Sequence, residues 1–65
     1  MGYGEPLTER ELQVLRGMRD NQTNQQIASD LNLSALTVKS HGQRLRTKLG
    51  ARSRQSAALL GSHLI

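Results

Sequence analysis

Lys39, Arg44, Arg46, Lys48, Arg52 and Arg54 place six cations within sixteen residues, and no carboxylate occurs after Asp30. The five acids, Glu5, Glu9, Glu11, Asp20 and Asp30, share the first thirty residues with Arg10, Arg16 and Arg19, so that part carries −2 and the remainder +6. Clustered cations without interleaved carboxylates attract polyanions, and a basic half on so small a chain is the electrostatic footprint of nucleic-acid binding. Bond-making chemistry has no comparable residue set. No nucleophile is paired with a base, no carboxylates are paired, and no cofactor motif is present, so neither catalytic residues nor a cofactor are expected. His41 and His63 stand twenty-two residues apart without a carboxylate cluster beside either, and cysteine is absent, so no metal site is expected.

The 65 residues make one domain. A chain this short buries only roughly 60% of the surface its unfolded form exposes, too little for a deep cleft, and no small-molecule ligand is expected within it. Its longest apolar run, Ala57 to Leu60, is far below a membrane span, and the N-terminus lacks the basic start and apolar stretch of a signal peptide. With no thiol to oxidise, the reading is a cytoplasmic protein away from membranes. Tyr3 is the only aromatic residue, which argues against binding single strands by stacking bases.

The elements that must position the cations are written in helix caps. Residues 1–6 are predicted to be a flexible lead-in, with the domain running over 7–65. Thr8 and Glu11 have capping-box spacing and Leu7 and Leu12 staple spacing, so a helix starts at Glu9; Leu12, Val14, Leu15 and Met18 form its apolar stripe, and Asp20-Asn21 stops it. Gly17 should weaken that helix by about 1 kcal/mol relative to alanine. Thr23 and Gln26 start a second, short helix that buries Ile27, Ala28 and Leu31. Asn32, tolerant of the left-handed conformation, ends it, and Ser34 caps the next helix at once. Only Asn32 and Leu33 separate the two helices, which is helix-turn-helix spacing. The third helix is predicted over Ala35–Leu49, ended by Gly50, with Val38, Gly42, Leu45 and Leu49 facing inward. Ser53 caps a fourth helix, expected to run from Arg54 to about Leu64 with Ala57, Leu60, Gly61 and Leu64 as its core stripe. The fold class is therefore all-α: a four-helix helix-turn-helix domain.

In such a domain the second helix of the pair enters the major groove of duplex DNA and presents outward side chains to base edges. On a 100° wheel the outer face of the third helix carries Leu36, Ser40, Gln43 and Thr47, flanked by Lys39 and Arg44. Lys39, Ser40 and Gln43 are the expected base readers: lysine suits guanine acceptors, glutamine pairs with adenine, and serine discriminates weakly. Leu36 or the Thr47 methyl is placed to touch a thymine methyl or the groove wall. Phosphate contacts are expected from the helix-start donors Thr23, Ser34 and Thr37 and from the cations Arg44, Arg46 and Lys48, with Arg52 as a further candidate. His41 sits at the edge of the core stripe, where half-buried packing and a phosphate contact are both open.

Four stretches, Leu7-Thr8-Glu9-Arg10-Glu11-Leu12-Gln13-Val14-Leu15, Thr23-Asn24-Gln25-Gln26-Ile27-Ala28, Leu33-Ser34 with Thr37-Val38-Lys39-Ser40-His41, and Lys48-Leu49-Gly50-Ala51-Arg52-Ser53-Arg54, occur in the order and spacing of the LuxR/GerE-type DNA-binding domain, which the chain resembles from Leu7 to Leu64. The resemblance implies a bacterial-type transcriptional regulator with its third helix as recognition helix, and Lys39, Ser40 and Gln43 as base readers. It also implies a homodimer formed through the fourth helix on inverted-repeat sites. Ala58, Leu59 and Ser62 are the outward positions for that contact. The chain departs from the family pattern at Gly42, where a bulky aliphatic residue is more usual, at Asn21 in place of glycine, and at Gln25-Gln26 in place of a lysine–glutamate pair.

Two other readings share these features. A sigma-factor-like promoter-reading helix-turn-helix has a similar opening helix and turn, but the Lys48–Arg54 segment leading into a capped fourth helix favours the LuxR/GerE reading. A helical interaction module would turn the same basic face toward an acidic protein, with RNA polymerase or another regulator as its partner.

Overall fold

Four N-caps start four helices. In the computed structural model, which describes residues 2–65, α1 spans Glu9–Arg19, α2 Asn24–Leu31, α3 Ala35–Leu49 and α4 Arg54–Leu60, followed by a 3₁₀ turn over Ser62–Leu64. No strand occurs among the described residues. The Thr8 hydroxyl accepts the Glu11 amide at 3.2 Å while the Glu11 carboxylate accepts the Thr8 amide at 2.8 Å. The same reciprocal pair forms between Thr23 and Gln26, at 3.1 and 2.8 Å. Ser34 and Ser53 each accept the amide three residues ahead, from Thr37 and Ser56, both at 3.1 Å. Each cap satisfies donors that a helix start otherwise leaves unpaired.

The first three helices end alike. Asn21, Asn32 and Gly50 adopt left-handed backbone with φ of 59°, 59° and 70°. The next amide then reaches back five residues: Gln22 to the Gly17 carbonyl at 2.9 Å, Leu33 to Ala28 at 2.8 Å and Ala51 to Arg46 at 2.8 Å. This is the Schellman arrangement, and it turns the chain sharply without leaving helix-end carbonyls unpaired. The α2–α3 connection consequently needs only Asn32 and Leu33 before the Ser34 cap.

The core comprises Val14, Leu15, Met18, Ile27, Ala28, Val38, Leu45 and Ala57, so every helix contributes, with Leu7, Leu31, Leu33, Leu49 and Ile65 packed at its margin. Helix α1 packs on α3 and α4, and α2 on α3. Gly17 is less a weakness than a contact point: a Cβ built there would lie 2.7 Å from Ile27 Cδ1, so the missing side chain lets α2 approach α1. At Gly42, the volume an aliphatic side chain would fill is bordered by Met18, whose Cε lies 3.0 Å from the position a Cβ would take.

Two expectations change. The fourth helix stops at Leu60 rather than near Leu64, because Gly61 leaves helical geometry and the chain tightens, the Leu64 amide donating to the Gly61 carbonyl at 2.9 Å. As a result Leu60 and Leu64 stay 48% and 41% exposed; only Ala57 and Gly61 of the expected stripe are buried, and Ile65 packs against the core. The described part of the lead-in is docked. The Gly4 amide donates to the Lys48 carbonyl at 2.9 Å, and the Tyr3 ring lies over Gly50. Met1, counted in the predicted lead-in, lies outside the described residues.

Candidate nucleic-acid interface

The sharp α2–α3 turn and the inward stripe of Val38, Gly42 and Leu45 fix which side of α3 faces out. Leu36, Lys39, Ser40, Gln43, Arg44 and Thr47 are all exposed there. The side chains of Lys39, Ser40 and Gln43 form no hydrogen bond with other described residues, so their donors and acceptors remain available. At the start of α3 the Ser34 and Thr37 hydroxyls bond one another at 2.9 Å, and both side chains are exposed beside the helix's first amides. Thr23 is likewise exposed at the start of α2.

Thr47 is placed differently from its expected role. Its hydroxyl donates back to the Gln43 carbonyl at 3.0 Å, and its methyl points at Gly2, where a Cβ would lie 3.1 Å away. The lead-in thus walls the C-terminal half of this outer face, and between them lies a cleft of about 390 Å³ lined by Glu5, Ser40, Gln43 and Arg44 among others. His41, at the edge of the stripe, is half-buried.

Lys48 is not a free rim cation. Its Nζ donates to Glu11 Oε1 at 2.7 Å and to the Pro6 carbonyl at 3.2 Å. The lysine side chain is 16% exposed and the glutamate 3%. Burial pushes the Glu11 carboxyl up, but the Lys48 hydrogen bond, the Thr8 amide and the Lys48 charge outweigh it and hold the group below its ordinary value. A glutamate that closes the α1 capping box thereby also ties the last turn of α3. The only other ion pair among the described residues joins Arg19 to Asp20, both exposed, so Lys39, Arg44, Arg46 and Arg52 carry no ionic partner. Sequence reasoning missed the Glu11–Lys48 pair because a partnered and an unpartnered lysine look alike on a helical wheel; the one hint was a capping glutamate with an oxygen to spare.

At the other end of the domain, Ala58 is half-buried, Leu59 is 77% exposed and Ser62 is exposed within the 3₁₀ turn rather than in α4. Leu60 and Leu64 are partly exposed as well. No helix among the described residues is long and apolar enough to cross a membrane.

Three linked N-capped helices, a two-residue turn and an outward polar face on the second helix of the pair define the helix-turn-helix class of DNA-binding transcription regulators. The sequence model of bacterial regulatory proteins of the luxR family matches residues 5–60, and the chain belongs to that family. It is 52% identical over 54 residues to the nitrate/nitrite response regulator protein NarP of Escherichia coli (strain K12), a match that covers 83% of this chain and 25% of NarP. It is also 42% identical over 60 residues to the HTH-type transcriptional regulator MalT of Klebsiella pneumoniae (strain 342) and of Yersinia pestis bv. Antiqua, covering 92% of this chain and 7% of each MalT. The chain therefore spans at most a quarter of the length of these relatives.

Proposed function

We propose that the chain binds duplex DNA sequence-specifically with α3 in the major groove and serves as the output module of a transcription regulator. The observation that carries this is the outer face of α3, where Lys39, Ser40 and Gln43 are exposed and uncommitted on a helix held by caps and core at both ends. Lys39 donates to guanine acceptors, Gln43 forms a paired contact with adenine, and Ser40 lies between them. Thr23, Ser34, Thr37, Arg44 and Arg46 contact phosphates on the flanks; Lys48 is withdrawn from that set by Glu11. With Lys39 included, the three cations Lys39, Arg44 and Arg46 give a slope of log affinity against log salt of roughly −3.

Two copies on an inverted repeat would meet through Ala58, Leu59 and Ser62, which puts half-sites about one helical turn apart and each α3 in a successive major groove. Because a luxR-family module forms a small part of NarP and of MalT, the signal this regulator answers lies in the same proposal only as a class: an upstream sensing event that frees or pairs the module.

The deciding experiment is fluorescence anisotropy of labelled duplexes, one selected and one scrambled, with wild type, Lys39→Ala and Gln43→Ala across a salt series. The expected result is preference for the selected site by wild type, reduced about fivefold to 150-fold by either substitution, as loss of about 1–3 kcal/mol per base contact implies. Equal binding of both duplexes by all three proteins would show that α3 does not read bases.

A further inference from the structure

Of the exposed residues on the outer face of α3, only Leu36 and Thr47 carry a methyl group. The two are placed in opposite ways. The Thr47 methyl points at Gly2, its hydroxyl is engaged by the Gln43 carbonyl at 3.0 Å, and the Gly4–Lys48 main-chain bond at 2.9 Å holds the lead-in there. Leu36 is 76% exposed and belongs neither to the core nor to the residues packed at its margin. On the helical wheel it falls in line with Ser40 and Gln43, whose side chains have no partner among the described residues. The Ser34 and Thr37 hydroxyls beside it bond one another, at 2.9 Å. An exposed leucine alone is ordinary. In line with two uncommitted polar side chains, however, it gives the row one apolar end, while the lead-in closes the other.

We propose that Leu36 is a specificity-determining residue of this chain, and that it recognises the 5-methyl group of one thymine in the major groove of duplex DNA. The assignment rests on the DNA-binding reading above and deepens it by adding an apolar reader to Lys39, Ser40 and Gln43. Thymine alone among the four bases presents a methyl group in the major groove, so an apolar side chain there separates thymine from the other three without a hydrogen bond. Leu36 and Gln43 lie seven residues apart on α3. That interval is roughly 10 Å of helix, and stacked bases are about 3.4 Å apart, so the thymine lies within about three base pairs of the base that Gln43 reads. Thr47 takes no part in methyl recognition, because its own methyl is covered by Gly2.

The test uses the full chain as wild type, L36A, L36M and T47A, each titrated by fluorescence anisotropy with the selected duplex, the scrambled duplex, and copies of the selected duplex in which each thymine in turn is replaced by deoxyuridine. Deoxyuridine removes the methyl and keeps the base pairing. Wild type, L36M and T47A should each lose about fourfold in affinity at one and the same thymine, as burial of a methyl-sized group implies. L36A should bind the methylated and demethylated duplexes alike, with an unchanged salt slope because no charge is removed. Its melt should match that of wild type, since Leu36 lies outside the core. Methyl sensitivity retained in L36A overturns the assignment, and sensitivity lost in T47A instead transfers it to Thr47 and overturns it equally. If wild type prefers the selected duplex but no single thymine methyl matters, Leu36 does not read a base, and the DNA-binding reading survives without it. If wild type does not distinguish the selected from the scrambled duplex, that reading fails and the Leu36 assignment fails with it.

Discussion

Replacing Lys48 with methionine separates two roles that a basic residue beside the DNA face can have. Methionine keeps most of the aliphatic stem and removes the ammonium, leaving Glu11, 3% exposed, with only the Thr8 amide on the oxygen that Lys48 also held. Removing one partner of a fully buried pair costs about 3–5 kcal/mol. Lys48 retains some exposure, at 16%, and the Thr8 bond persists, so about 2–3 kcal/mol is expected here. At roughly 4–8 °C per kcal/mol for a domain of this size, the melting temperature should fall by about 10–20 °C. The sign of the pH dependence is also determined. Glu11 titrates lower in the folded chain than in the unfolded one, so its contribution is fully present above the unfolded value of about 4.3 and is lost as pH falls through the folded value. Without Lys48 only the Thr8 bonds oppose the burial penalty and the carboxyl loses the lowering that Lys48 supplied, so the gap between wild type and variant should narrow below about pH 4. Circular-dichroism melts from pH 3 to 8, paired with anisotropy salt series on the folded variant, read both effects. A salt slope flattened by about 0.9 with little loss of melting temperature would refute the reasoning, because Lys48 would then be a phosphate contact after all.

Other perturbations test the turns, the close approaches and the far surface. Gly17→Ala gains about 1 kcal/mol of helix propensity but drives a Cβ against Ile27, so a net loss of about 1–2 kcal/mol is expected in thermal or urea melts, whereas a surface glycine would give a gain. Asn32→Ala should cost about 1 kcal/mol at φ 59°, and Asn32→Gly should be close to neutral; equal losses for both would mean that the side chain, not the backbone, holds the turn. Leu59→Lys, at a site 77% exposed, should leave the monomer's unfolding free energy within about 0.5 kcal/mol of wild type while lowering occupancy of a two-half-site duplex measured by analytical ultracentrifugation; unchanged two-copy occupancy removes α4 from the dimer proposal.

What could be read from the chain divides by sequence distance. The caps Thr8, Thr23, Ser34 and Ser53, the left-handed Asn32 and Gly50, and the Ala35–Leu49 bounds of α3 each depend on residues within five positions of one another, and pattern and structure agree on all of them. The end of α4 depended on something else. Apolar periodicity continues to Leu64, but Gly61 leaves helical geometry and the chain tightens into a 3₁₀ turn over Ser62–Leu64, a backbone choice that side-chain periodicity does not report. Lys48 and Glu11 are separated by 37 positions, as are the consequences of that pairing for the interface. Gly17 reads as a defect until Ile27 is placed against it. The outward set Lys39, Ser40 and Gln43 was legible because α3's inward stripe is unambiguous.

The side chains of Lys39, Ser40 and Gln43 take no part in holding the fold, since none bonds to another described residue and all three are exposed. On the proposed reading, folding and recognition are thereby carried by separate residues of one helix. Substitutions at those three positions can accumulate with little selection against unfolding, each changing by roughly 0.5 kcal/mol or less the stability that keeps the chain intact. A lineage carrying this domain can drift through many reading faces on an unchanged scaffold, so divergence in target sites should outpace divergence in shape.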